Sequence, residues 1–209
     1  MTSLDPRSLV LWCLAAFACG SIPFGLLLVK LAGKGDVRAH GSGNIGATNV
    51  SRVGGKGLGI VTLLLDILKG FLPVFLAKRM GLNLDALALM ALAAVLGHVF
   101  TPWLKFKGGK GVATALGVLL ATHAALLIVP LGLFTFILWL TRQVSLGSIL
   151  AAAMLPVQVL LIDGRNLAQI LPWTLLALLV IWKHRENIAR LQAGTEAKLW
   201  GARKEADHA

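Results

Sequence analysis

The stretch GVATALGVLLATHAALLIVPLGLFTFILWLT, residues 111–141, runs for 31 residues without a formal charge. A helix needs about 20 apolar residues to cross the roughly 30 Å hydrocarbon core of a bilayer. The stretch is therefore too long for one ordinary span and short for two. The charges around it decide. Lys105, Lys107 and Lys110 precede it, and the tail carries Lys183, Arg185, Arg190, Lys198, Arg203 and Lys204. Short loops rich in Lys and Arg face the cytoplasm, so an even number of crossings separates these two clusters. Between them lie two further apolar segments, 143–162 and 166–182. An even total then requires two short helices within 111–141, with the break near Thr122 and His123.

Working outward, segments 8–29, 57–77 and 86–104 are also long and apolar enough to span. The second contains Asp66 and Lys69, and the third contains His98. Lys30, Lys34, Arg38, Arg52 and Lys56 mark the loop between the first two as cytoplasmic. The expectation is an all-α polytopic membrane protein with seven transmembrane helices, amino terminus outside and carboxyl terminus cytoplasmic. Arg142 then falls inside, while Arg7, Lys78, Arg79 and Arg165 fall outside. Segment 8–29 is longer than a usual signal core and lacks a convincing cleavage site, so it reads as a retained helix. The chain forms a single membrane domain, 1–209, with a short tail, 183–209.

Composition agrees. Of 209 residues, 57% are hydrophobic and 14% charged, against about 25% charged in soluble domains. The net charge of +11 is explained by positive-inside loops, so no nucleic-acid partner is expected. Nine acidic residues leave little for a carboxylate-bound metal. Cys13 and Cys19, six apart in one apolar run, suggest neither a disulfide nor a zinc site.

The first cytoplasmic loop reads His40-Gly41-Ser42-Gly43-Asn44-Ile45-Gly46-Ala47-Thr48-Asn49-Val50-Ser51-Arg52. Its Gly-x-Gly-x-x-Gly follows a membrane helix rather than a strand, so it is not a dinucleotide fingerprint. Glycines let backbone N–H groups approach an anion. Ser42, Asn44, Thr48 and Asn49 add neutral donors, and Arg52 adds a planar fork suited to phosphate. The plainer alternative is a tight capped turn. In the second loop Gly108, Gly109 and Gly111 surround Lys110, and a helix follows at once, a favourable place for an anion. No Ser or Thr directly follows the lysine, which disfavours a nucleotide triphosphatase. The alternative there is a basic turn.

Other candidates are weaker alone. Asp66 and Lys69 share a helix face, either as a structural ion pair or as part of a site. Ser145 and Ser148 open the sixth helix as caps or anion donors. His184 and Asn187 lie on one face of a tail helix that could simply be interfacial. His123 and His208 read as incidental.

Segments 41–52, 97–114 with its Phe-Lys-Gly-Gly-Lys-Gly core, and 184–196 together resemble the bacterial acyl-phosphate:glycerol-3-phosphate acyltransferases, the PlsY family. The resemblance covers nearly the whole chain. It implies a seven-helix enzyme of the inner membrane, with its active site facing the cytoplasm, acting in the first step of phospholipid synthesis. Such an enzyme moves an acyl group from acyl phosphate to the 1-hydroxyl of sn-glycerol 3-phosphate, giving lysophosphatidic acid and phosphate. The resemblance implies a phosphate pocket of Ser42, Gly43, Asn44, Thr48, Asn49, Arg52, Gly108, Gly109 and Lys110. It implies catalytic contributions from Arg52, Lys110, Ser148, His184 and Asn187. It also implies a peripheral partner acyltransferase that makes the acyl phosphate from acyl carrier protein. No metal or cofactor is expected.

The implied chemistry suits these residues. Acyl phosphate is a mixed anhydride whose leaving group is a stable anion, so orientation and oxyanion stabilisation remain to be supplied. No Ser-His-Asp or Cys-His constellation is visible. The attacking hydroxyl's proton can go to a substrate phosphate or to His184. No histidine has an Asp five residues on, unlike the acyl-CoA-type glycerolipid acyltransferases, and the aspartate cluster of CDP-alcohol phosphotransferases is absent. The alternative function is a membrane transporter or binding protein for phosphate-bearing anions. It fits the Asp66–Lys69 pair but not three polar motifs on one side, because transporters bind near the midplane.

Overall fold

The structure is a computed structural model and describes residues 5–163 and 166–199. Arg165, Arg203, Lys204 and His208 lie outside the described residues, as does the tail from 200 onward. Among the described residues the regular structure is entirely helical. In chain order the α-helices are α1 (Pro6–Ser21), α2 (Phe24–Leu31), α3 (Ala47–Gly54), α4 (Lys56–Arg79), α5 (Leu84–Val99), α6 (Val112–Thr122), α7 (Ile128–Thr141), α8 (Val144–Asp163), α9 (Leu167–Lys183) and α10 (Arg185–Gln192).

Among the described residues five segments are long and apolar enough to cross a bilayer: Pro6–Leu31, Lys56–Arg79, Leu84–Leu104, Ala124–Thr141 and Val144–Ile162. A sixth arises if α9 and α10, bent by 55° at their junction, are taken together. The remaining apolar helix is α6, with 11 residues, about 16 Å long at 1.5 Å per residue. The break expected near Thr122 and His123 is present: α6 ends at Thr122, and a 3-10 turn, Ala124–Leu127, leads into α7. Lys78 Nζ, from α4, donates to the Ala121 and Thr122 carbonyls at 3.2 and 2.7 Å. A cation thus satisfies carbonyls that the ending helix leaves free.

The first span is itself broken. Asp5 caps α1, accepting from the Arg7 and Ser8 backbone N–H groups, and Pro6 opens the helix where its missing N–H costs nothing. At the other end Pro23 interrupts the ladder between α1 and α2. The exposed carbonyls are taken up from other elements: Thr101 Oγ1 donates to Ser21 O at 2.6 Å, and Lys69 Nζ donates to Ile22 O at 2.7 Å.

Small residues set the closest crossings. A Cβ at Gly20 of α1 would fall on the Ala94 carbonyl of α5, and one at Gly97 of α5 on the Phe17 carbonyl of α1. Gly70 and Gly117 meet Thr114 O and Ile67 O in the same way where α4 crosses α6. In a bilayer such close backbone packing replaces the hydrophobic drive of water. The core centres on α5, with Leu87, Met90, Val95 and Val99 fully buried, and Trp173 and Leu176 of α9 packed against it. The perimeter is apolar as well: Leu11, Leu64, Trp139, Leu161 and Leu178 are exposed, the pattern of a surface solvated by lipid rather than water.

Candidate active site

The α2–α4 loop, the α5–α6 loop and the α9–α10 junction lie at one end of the bundle, where Lys110 of the second bonds Asn187 beyond the third and feels the charge of Arg52 from the first. The first loop is organised by Asn49, which is 2% exposed. Its Oδ1 accepts from the Ser42 N–H at 2.9 Å. Its Nδ2 donates toward the carbonyls of Val37, His40 and Asn44, at 3.1, 3.1 and 2.9 Å. Asn44 Oδ1 accepts from Gly46 N at 2.9 Å. Gly41 and Gly43 have φ of +61° and +67°, a conformation that only glycine adopts freely. Asn49, expected to touch phosphate, is thus spent on shaping the loop, whereas Asn44 commits its Oδ1 there and keeps its Nδ2 donor without a hydrogen bond among the described residues.

What the loop leaves free differs. The Ser42 and Thr48 hydroxyls make no hydrogen bond among the described residues. Arg52, on α3, is exposed and its guanidinium makes none either. It borders a cleft of about 390 Å³ with Lys34, His40, Gly41 and Val53. Lys34 is committed, donating to Gly54 O at 2.8 Å and closing the end of α3.

The second loop folds back on the end of α5. The N–H groups of Gly108 and Gly109 donate to Val99 O and His98 O at 3.0 and 3.1 Å. Gly111, with φ of +87°, turns the chain into α6. Lys105 and Lys107 are exposed while Lys110 points inward, partly buried. Its Nζ donates to Asn187 Oδ1, joining residues 77 apart in sequence. Burial lowers Lys110 to about 8. Glu196 opposes this, Arg190 adds to it, Glu186 again opposes it, and Arg52 adds to it. Arg52 and Lys110 are therefore close enough to feel each other's charge.

The third segment completes the array. His184 sits at the α9–α10 bend, 3% exposed, with Nδ1 2.7 Å from Val180 O. That contact places a proton on Nδ1 and leaves Nε2 as the acceptor. Burial holds His184 down at about 4, against the partial support of the Val180 carbonyl. Asn187, having accepted from Lys110, donates to Glu196 Oε1 at 2.6 Å. Ser145 Oγ donates to the same oxygen at 2.7 Å, and Arg190 Nε to Oε2 at 2.8 Å. Burial alone would raise Glu196, but these three bonds together hold it below the usual carboxylate range.

The geometry thus joins Lys110 to Asn187, with His184 and Arg52 within electrostatic reach. Ser148 stands one helical turn beyond Ser145, and its hydroxyl donates to Val144 O at 2.8 Å, with no bond to the other candidates. Glu196 and Arg190, beside Asn187, were not singled out in the sequence, and Ser145, read there as a cap or anion donor, instead donates to Glu196. The available signal was the acid at the end of the third motif, since the chain has only nine acidic residues. Among the described residues no group of three or more metal-ligating side chains exists. The larger groove, about 640 Å³ beside Phe71, Lys78 and Arg79, lies at the far end of α4 from the site.

Fold and site together define a polytopic helical membrane protein with a one-sided cluster of cations and neutral donors. A family model described as glycerol-3-phosphate acyltransferase matches residues 10–194, and the chain belongs to that family. Relatives named glycerol-3-phosphate acyltransferase include one from Geobacter sulfurreducens, 53% identical over 182 residues, covering 87% of this chain and 92% of the relative. Another, from Geotalea daltonii, is 51% identical, covering 88% and 93%. The crystal structure of PlsY (YgiH), an integral membrane glycerol 3-phosphate acyltransferase, in its glycerol 3-phosphate form is similar with a TM-score of 0.86. It is 39% identical, with 93% of this chain and 96% of that chain covered. Its lysophosphatidic acid form gives 0.82 at 39% identity, covering 91% and 95%.

Proposed function

We propose that this chain transfers a fatty acyl group from acyl phosphate to the 1-hydroxyl of sn-glycerol 3-phosphate, releasing lysophosphatidic acid and inorganic phosphate. The observation that carries the proposal is the convergence of Lys110, Asn187, His184 and unpaired Arg52 at one end of a membrane bundle. Both substrates bear phosphate, and the cluster offers two cations together with the free Ser42 and Thr48 hydroxyls.

The glycerol hydroxyl attacks the acyl carbonyl carbon directly. The new C–O bond forms, the carbonyl electrons move onto oxygen, and collapse expels phosphate with the electrons of the anhydride bond. Lys110 and Arg52 stabilise the phosphate groups and the charge developing beside them. The hydroxyl proton goes to a phosphate dianion, whose second pKa is about 6. His184, held down at about 4, is the weaker base, so its part is orientation. Ser148 donates its hydroxyl hydrogen to Val144 O, which argues against a covalent acyl-serine. The reading includes seven crossings with α6 as a short one, the amino terminus outside, and the site on the cytoplasmic face of a bacterial inner membrane. A peripheral enzyme supplies the acyl phosphate.

The test is product analysis with purified protein. Acyl phosphate plus glycerol 3-phosphate is expected to yield equal amounts of phosphate and lysophosphatidic acid, with acyl-CoA inactive. Equal turnover with acyl-CoA would overturn the donor assignment.

A further inference from the structure

The mechanism leaves unused a buried polar trio inside the membrane part of the bundle. Asp66 and Lys69 of α4 are 2% and 3% exposed, with Lys69 Nζ 2.7 Å from Asp66 Oδ1. Lys69 also donates to Ile22 O at 2.7 Å, at the break between α1 and α2, and lies 5.8 Å from the Phe24 ring centroid. His98, near the end of α5 and 4% exposed, has Nδ1 3.8 Å from the same carboxylate oxygen. Charged groups within a membrane are costly and are kept where they serve something.

The other edge of the His98 ring shows what is served. A Cβ at Gly109 would fall on His98 Nε2, so the glycine backbone lies directly against the imidazole. The His98 carbonyl accepts from the Gly109 N–H at 3.1 Å. One residue therefore holds Gly109 twice, by its ring and by its carbonyl, and Lys110 is the next residue. Asp66 stands behind the ring without a hydrogen bond to it, and Lys69 ties that carboxylate to Ile22 at the break between α1 and α2.

We infer that His98, backed by Asp66 and Lys69, is a positioning residue that fixes Lys110 against Asn187 through contact with Gly109. This rests on the reading of Lys110 as a phosphate ligand. His98 touches no reacting atom. It sets the backbone from which the lysine reaches, and displacing a positioned group by about 1 Å can cost about 100-fold.

A double-mutant cycle tests it, with His98→Gln, Lys110→Ala and the combination purified in detergent and checked for folding by size exclusion and thermal unfolding. His98→Gln is expected to lower kcat/KM by roughly 10- to 100-fold in the otherwise unchanged protein. In the Lys110→Ala background the further loss is expected to be under about twofold, because residues acting through one another are not additive. Equal losses in both backgrounds would overturn the inference while leaving Lys110 in its role. Full activity in Lys110→Ala would overturn the site reading and this inference with it. If His98→Gln does not fold, Gly109→Ala is compared with His98→Ala/Gly109→Ala. Removing the ring is expected to recover at least about threefold of the activity lost to the added methyl, and a double variant worse than Gly109→Ala would overturn the contact.

Discussion

Lys110 is subject to two opposed demands. Burial favours its neutral form, yet binding phosphate needs the cation. With its titration at about 8, the charge is mostly present at pH 7 and is lost as pH rises. Affinity for glycerol 3-phosphate is therefore expected to weaken about fivefold between pH 8 and pH 9, as the competent fraction falls. His184, at about 4, is neutral across this range, so the acid limb of kcat is expected near the substrate phosphate's value of about 6. A pH–rate profile checks both limbs. An acid limb that disappears in His184→Gln would make the histidine the base. Losing a charge-assisted hydrogen bond in Lys110→Ala is expected to cost about 2–4 kcal/mol, or roughly 30- to 1000-fold in kcat/KM. Lys107, exposed beside it, is expected to lose far less on conversion to alanine. Arg52→Lys is not expected to restore activity, because a single ammonium cannot reproduce the guanidinium's two parallel N–H bonds. Steady-state kinetics at matched protein amounts checks all three. Equal and slight losses in Lys110→Ala and Lys107→Ala would reduce the loop to a basic turn.

Among the helices, the tight crossings carry their own expectation. Gly97→Ala sets a methyl on the Phe17 carbonyl, so α1 and α5 must separate. Overpacking of this kind costs about 1–3 kcal/mol. Gly57→Ala in α4, with nothing within 4 Å of the added Cβ, is expected to be neutral or slightly stabilising. Thermal unfolding in detergent compares the two, and equal midpoints would contradict the packing described. Five spanning segments among the described residues, and a sixth if α9 and α10 are joined, were legible in the sequence because apolar length is a local quantity. Even the interruption after Thr122 followed from charge parity, although the Lys78 contacts that satisfy its carbonyls did not. The loop interiors were less legible. Asn49 looked like one donor among several, and only the fold shows its amide consumed by Ser42, Val37, His40 and Asn44. Glu196 meets Ser145, and His98 meets Asp66, across long separations in sequence, which no spacing rule reveals. The carboxylate of Glu196 gathers Ser145, Asn187 and Arg190 into the support beneath Lys110.

At the scale of the whole molecule, all three loops that carry the site open at one end of the bundle, and the rest of the perimeter is apolar. A transporter would need substrate groups near its middle. There the described residues place the Asp66–Lys69 ion pair beside His98, with Lys69 also donating to Ile22 O. Activity is expected to be unchanged by chelators, since the proposed chemistry uses only side-chain cations and neutral donors. Activity lost to a chelator and restored by magnesium would contradict that. The most direct measurement uses sealed proteoliposomes of known orientation loaded with acyl phosphate. Glycerol 3-phosphate is supplied to one face at a time, and lysophosphatidic acid and phosphate are quantified. Turnover only from the face that carries the carboxyl terminus is predicted. Equal turnover from either face, or uptake of glycerol 3-phosphate without phosphate release, would contradict a one-sided acyltransferase.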